Sequence, residues 1–198
     1  MSEATKSNAS SSASLNAINS QSLLRNLPGP KKYLEITTLN NSLLMAVNDR
    51  DIKKVEAALK AGAYANSKDD NGTSALMSAA YAGDTKIMEF LIDKGAYVDA
   101  ARGDGWTALM AAVWNCHYDA VKLLAGRGAD PNVRYGKGGK TALMVAAKRG
   151  ETKIAELLIE SGAQVNAKNA DRYTALIYAQ VEGYGDTIAL LRSHGAVE

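Results

Sequence analysis

The sequence predicts an all-α repeat solenoid, a stack of about five helix-turn-helix units that cannot fold singly. Three markers in phase carry this reading. Ser74-Ala75-Leu76-Met77 returns as Thr107-Ala108-Leu109-Met110, Thr141-Ala142-Leu143-Met144 and Thr174-Ala175-Leu176-Ile177, at steps of 33 or 34 residues. A Gly-Ala pair keeps step at Gly62, Gly95, Gly128, Gly162 and Gly195. Four residues after the first four of these glycines stand Asn66, Asp99, Asn132 and Asn166.

Each element follows from these markers. Residues 1 to about 22 are mostly Ser, Asn and Ala, too poor in large apolar side chains to offset ordering entropy, so disorder is expected there. Leu15, Ile18, Leu23, Leu24 and Leu27 have a rough helical spacing, and Pro28-Gly29-Pro30 is expected to stop any helix and mark a linker. Residues 1–32 are therefore assigned as a disordered segment and linker, and 33–198 as the repeat domain. Its units lie near 40–68, 69–102, 103–135, 136–168 and 169–198.

Within a unit, Ser74, Thr107, Thr141 or Thr174 is placed to cap a short first helix. Alanines such as Ala79 and Ala80 let the neighbouring unit approach. A turn near Gly83 leads to a second helix with Ile87, Met88, Leu91 and Ile92 inward, and Gly95 ends it in a left-handed conformation. Helices this short depend on stacking for their stability.

With these residues in view, the chain resembles the ankyrin repeat family over roughly residues 40–198. The family's T-P-L-H-x-A-A stretch has its counterpart in Thr141-Ala142-Leu143-Met144-Val145-Ala146-Ala147. Its turn matches Gly83-Asp84 and Gly150-Glu151, and its G-A-D-x-N matches Gly128-Ala129-Asp130-Pro131-Asn132. The resemblance implies an ankyrin-like stack with β-turn fingers and a concave face made by fingers and first helices. Departures are informative. Ala replaces the family's Pro, and Met or Ile replaces its His, so the side-chain hydrogen bonds of that His are expected to give way to apolar contact. Arg50 and Cys116 stand where other units have turn glycines, so those two turns are expected to be strained. The spacing from Asn132 to Thr141 is one residue longer than its counterparts, which lengthens the finger Tyr135-Gly136-Lys137-Gly138-Gly139-Lys140.

Composition narrows the function class. The net charge is +2, made of +3 before Tyr33 and −1 from there on, which argues against a nucleic-acid-binding domain. The only cysteine is Cys116, no apolar run is long enough for a membrane span, and a signal-peptide pattern is absent. A monomer in the cytoplasm is the expected setting. The alternative is an exported effector, since the Ser/Asn-rich leader is similar in composition to export leaders of some bacterial secreted proteins.

Chemistry finds little support. Gly136 to Thr141 lacks the first glycine of a phosphate loop, Arg134 standing in its place, so nucleotide or anion binding by this finger is a minor alternative. Cys116-His117 has no third group to orient a catalytic pair. Two histidines and one cysteine, far apart, offer no zinc site. Neither catalytic residues nor cofactors are expected.

The expected function is protein or peptide binding on the concave surface. Finger positions there hold Thr73, Trp106, Lys140 and Tyr173, and first-helix positions hold Tyr81, Trp114, Asn115, Lys148, Arg149 and Val181. Tyr135 and Lys137 join them from the longer finger. Trp, Tyr and Arg dominate binding energy at interfaces, although aromatics here also have the simpler task of covering gaps between units. Arg134, Lys137, Lys140, Lys148 and Arg149 gather near the third-to-fourth junction, while Asp49, Asp51, Asp69, Asp70 and Asp84 lie toward the first two units. A partner with an acidic patch would be oriented by that asymmetry.

Overall fold

The computed structural model describes residues 30–197. Among them are ten helices, numbered here in chain order: α1 Pro30–Asn48, α2 Ile52–Lys60, α3 Ala75–Ala82, α4 Thr85–Asp93, α5 Ala108–Trp114, α6 Tyr118–Gly126, α7 Ala142–Lys148, α8 Thr152–Glu160, α9 Ala175–Glu182 and α10 Gly185–Ser193. The β-type pairings outside named strands are two bridges, Lys68 with Ser74 and Tyr135 with Lys140. The chain divides at Thr37 into two compact units, of which the second, from Thr38 onward, is the repeat body.

The disorder expected for the leader lies, through residue 29, outside the described residues. Residues 30–32, read as linker, are instead the start of α1. Proline is at home in the first helical turn, where its missing N–H would have had no partner. In the described part of the first unit, Thr37 Oγ1 donates to the Tyr33 carbonyl at 2.9 Å.

In the repeat body the cap residues act as expected. Ser74 accepts from the Met77 amide at 3.2 Å, Thr107 from Met110 at 3.2 Å, Thr141 from Met144 at 3.4 Å and Thr174 from Ile177 at 3.3 Å. Such a cap contributes about 1 kcal/mol. The first helices α3, α5, α7 and α9 pack in one row and the second helices α4, α6, α8 and α10 in another. Between the rows, Leu76, Leu109, Leu143 and Leu176 are buried, with Ala79, Ala80, Ala111, Ala112, Ala146 and Ala147 permitting close approach. The methionines that replace the family's histidine, Met77, Met110 and Met144, are buried too. One of them keeps a weak polar role, because Met77 Sδ accepts from the Ser74 amide at 3.4 Å.

The asparagine marker has a mechanical task. Asn66 Nδ2 donates to the Gly95 carbonyl at 2.9 Å while its Oδ1 accepts from the Tyr97 amide at 2.7 Å. Asn132 repeats the pair on Gly162 and Gln164 at 3.1 and 2.8 Å, and Asn166 on Gly195 and Val197 at 2.9 and 2.9 Å. Each staples its unit's loop to the next. Asp99 accepts from the Asp130 amide at 3.0 Å but, being a carboxylate, has no proton for the second bond.

A second ladder runs along the turns. Arg50 and Cys116 take φ of 57° and 58°, the strained left-handed conformation expected of them, where Gly83 and Gly150 take 68° and 70°. What lies opposite decides the residue. A Cβ on Gly83 would sit 2.7 Å from the His117 ring of the next unit, and one on Gly150 would sit 2.6 Å from the Tyr184 ring. Arg50 instead faces the shorter Asp84, with which it pairs at 3.4 Å, and Cys116 faces Glu151, which helps to raise its thiol. Glycine is thus required where the following helix opens on an aromatic ring, and a side chain fits where it opens on an acid.

Candidate peptide-binding face

The cap register brings equivalent residues of successive units onto one face. Just before the caps stand Thr73, Trp106, Lys140 and Tyr173; seven residues after them stand Tyr81, Trp114, Lys148 and Val181. The face holds two grooves. One, of about 510 Å³, is lined by Trp114, Lys140, Lys148, Arg149, Tyr178 and Tyr184, among others. The other, of about 370 Å³, includes Val47, Met77, Ser78, Tyr81, Arg102 and Trp106.

A tryptophan pair divides them. Trp106 and Trp114 meet edge to face with centroids 5.9 Å apart, and Tyr135 packs edge-on against Trp106 at 4.7 Å. Trp106 is half-buried against the core, so it carries packing as well as surface. Trp114 keeps 43% of its surface exposed. Trp106 is set by its finger: Asp104 accepts from the Trp106 amide at 3.1 Å and from Arg102 at 2.6 Å. Burial works to raise the Asp104 carboxyl, but these bonds and the Arg102 charge outweigh it and hold the group below the usual carboxylate range.

The larger groove is cationic at one wall. The Lys140 and Lys148 ammonium groups lie 5.9 and 6.0 Å from the centre of the Tyr178 ring, at the outer limit of cation–π attraction. Tyr178 itself stacks edge-on with Tyr173 at 5.6 Å, and its hydroxyl accepts from Asn169 at 3.0 Å. Burial, reinforced by Asp171 and Tyr173, pushes its phenol up, so the ring stays neutral. Among the described residues no ion pair engages Lys140, Lys148 or Arg149. Two glutamates, Glu151 and Glu182, also line this groove.

Tyr178 is a residue that sequence reasoning missed. It stands four residues after its cap, where the other units carry Ser78, Ala111 and Val145. Its size against that column was the available signal.

The face does not gather every expected residue. Asn115 donates its amide to the Ala111 carbonyl at 3.0 Å, which closes its own helix. Lys137 borders a separate shallow depression with Asp104, Gly105 and Arg134. Arg134 is spent on the Gly139 and Lys168 carbonyls at 3.1 and 2.8 Å. The acidic residues of the first two units are mostly structural: Asp51 and Asp84 cap α2 and α4, and Asp69 accepts from the Asn71 and Thr73 amides.

The long finger is pinned by backbone bonds. Tyr135 and Lys140 exchange backbone bonds of 2.9 and 3.0 Å, Gly136 donates to Asp104 at 2.7 Å, and Gly138 accepts from Ala170 at 2.9 Å. Gly139 donates to Gly136. The Gly136, Gly139 and Lys140 amides are thus committed to carbonyls of the protein and are not offered to a phosphate.

Nor does Cys116 have the environment of a nucleophile. Burial first, and then its hydrogen bond to Glu151, raise the thiol, while the Arg149 Nε–H bonded to its sulfur at 3.1 Å pulls the other way and loses. The neighbouring His117 turns its Nε2 to the Tyr81 carbonyl at 3.1 Å. No group of acids, histidines and cysteine among the described residues could hold a metal ion. None of the described helices is long and apolar enough to cross a membrane.

Comparison with known proteins agrees with this architecture. A probable E3 ubiquitin-protein ligase, XBOS34, of Oryza sativa subsp. japonica is 48% identical over 63 residues, 30% of this chain and 12% of the ligase. Protein phosphatase 1 regulatory subunit 12A of Mus musculus and of Rattus norvegicus is 49% identical over 45 residues, 23% of this chain and 4% of each subunit. The similarity therefore covers a small part of those proteins. The family model for ankyrin repeats in three copies matches residues 43–135 and again 133–197, most of the repeat body. With its capped helix pairs, stapled loops and stacked turns, the chain belongs to the ankyrin repeat family.

Proposed function

We propose that this chain is a non-enzymatic binding module that holds a protein or peptide on the finger and first-helix face, gripping it in the groove of units three to five. Ankyrin repeats form protein–protein interaction modules, and one relative is by name a regulatory subunit of protein phosphatase 1. The observation that carries the finer reading is the pair of ammonium groups at Tyr178. Lys140 and Lys148 converge on one ring without a carboxylate partner, beside a half-exposed Trp114. Like charges held together in a groove cost free energy that an incoming anion relieves, and such a groove steers an acidic partner. The single free thiol of Cys116 suits a reducing compartment such as the cytoplasm.

The test is affinity capture followed by titration of the purified partner against wild type, Lys148→Ala and Trp114→Ala. Lys148 is exposed, so its variant is expected to melt close to wild type, whereas Trp114→Ala gives up the edge-to-face contact with Trp106 and is expected to lose about 1 kcal/mol while staying folded. Affinity is expected to fall about tenfold or more in each variant, the loss of a central interface contact. Unchanged affinity in both variants would move the binding surface elsewhere.

A further inference from the structure

The two grooves differ in chemistry, and their separation is fixed by the stack. The smaller one is centred on unit two and has a buried apolar floor, Val47 and Met77, with Tyr81 57% exposed at its rim. Its one cation, Arg102, is already paired with Asp104 at 2.6 Å. The larger one is centred on unit four. Its cations Lys140, Lys148 and Arg149 face Glu151 and Glu182, which leaves one net positive charge. That balance matches a single carboxylate and leaves a dianion half-compensated.

Two unit steps separate the grooves. Packed helices lie about 8–10 Å apart, so the grooves are roughly 16–20 Å apart along the face. An extended chain advances about 3.3 Å per residue, and its side chains point to the same side at every second position. A span of roughly 20 Å with both side chains inward corresponds to about six residues. The intervening positions cross the Trp106–Trp114 pair.

We infer that this face takes an extended peptide carrying an Asp or Glu in the Lys140–Lys148–Tyr178 groove and a large apolar side chain six positions away in the Val47–Met77–Tyr81 groove. This rests on the binding face proposed above and adds the chemistry and spacing of its occupant.

The test pans a random 12-residue peptide display library on the full chain. Selected peptides are expected to share an acid and a Leu, Ile, Met or Phe six positions apart. In a synthetic peptide from that set, replacing the acid by its amide is expected to weaken binding about tenfold. Against Lys148→Glu, or the milder Lys148→Ala, the same replacement should then make less than about a twofold difference. Tyr81→Ala is expected to remove the dependence on the apolar residue and leave the dependence on the acid. A melt confirms that each variant is folded.

No enrichment, a different or variable spacing, or no requirement for the acid would overturn the inference. A peptide with phosphoserine in place of the acid binding more than tenfold tighter would overturn the single-carboxylate assignment. If peptides bind and lose affinity with Trp114→Ala but ignore the spacing, the face stands and the bipartite occupant fails. If Lys148→Glu, Trp114→Ala and Tyr81→Ala all leave binding intact, both fail.

Discussion

Two rows of side chains run along the same stack and obey opposite rules. In the turn row each residue is matched to its neighbour one unit on: Arg50 to Asp84, Gly83 to the His117 ring, Cys116 to Glu151, Gly150 to the Tyr184 ring. In the row seven residues after the caps the neighbours are Tyr81, Trp114, Lys148 and Val181, all exposed and joined across units only loosely, as where Lys148 lies 6.0 Å from the Tyr178 ring. Size and charge are satisfied between units in the first row. In the second they are left open toward solvent. The first row is where stacking is specified; the second is the row that the proposed partner would meet.

Five substitutions can break or sharpen this contrast. The largest effect belongs to the core that both rows share. Leu143→Ala removes a buried side chain between units and is expected to cost about 2–5 kcal/mol in urea unfolding. Lys148→Ala, in the open row, is expected to stay within about 0.5 kcal/mol. Equal costs would mean that the open row also carries stability.

The turn row makes a sharper demand. Gly150→Ala places a methyl into the Tyr184 ring and a side chain in the left-handed region, a loss of about 1–3 kcal/mol. Cys116→Gly relieves strain and loses two weak contacts, so it is expected to change stability by less than about 1 kcal/mol. Thermal melts of the two variants side by side test this. A neutral Gly150→Ala would show that the matching is incidental.

One further effect is a gain. Asp99→Asn supplies the amide proton that the other staples use and puts it in reach of the Gly128 carbonyl, as Asn66 reaches Gly95. A stabilisation of about 0.5–1.5 kcal/mol is expected, the net worth of one hydrogen bond. An unaltered midpoint would mean that the loop edge is not under tension.

Much of this architecture was legible in the sequence because its causes are local. Thr107 caps an amide three residues away, and Leu109 and Leu143 fall inward by helical spacing. The length of α1 was not, because Pro30 reads as a stop when it is met alone and as a start when a helix follows it. The role of the asparagines was visible only as a period, since their bonds reach 29 to 32 residues ahead. The reason for Cys116 and Arg50 lies likewise in the residue one unit on.

The grouping of residues on the candidate face was legible in part. Trp114, Lys140, Lys148 and Arg149 were found from the register and do line one groove. Lys137 and Asn115 share that register or that finger, yet one borders a separate depression and the other is spent on its own helix. A register fixes which residues share a row; it does not fix what each side chain is already bonded to.

The joint between units two and three has a further consequence. There the stack exchanges a permanent amide bond, missing at Asp99, for the exposed Arg127–Asp93 ion pair at 2.9 Å. An exposed pair is worth at most about 1 kcal/mol and is screened by added salt, with a Debye length near 8 Å at physiological ionic strength. Stiffness at this joint is therefore tuned by the electrolyte, whereas the amide staple one step on, at Asn132, is indifferent to it. The smaller groove crosses that joint, from Tyr81 to Trp106, so the dissolved ions around the protein bear on how firmly its two walls are held.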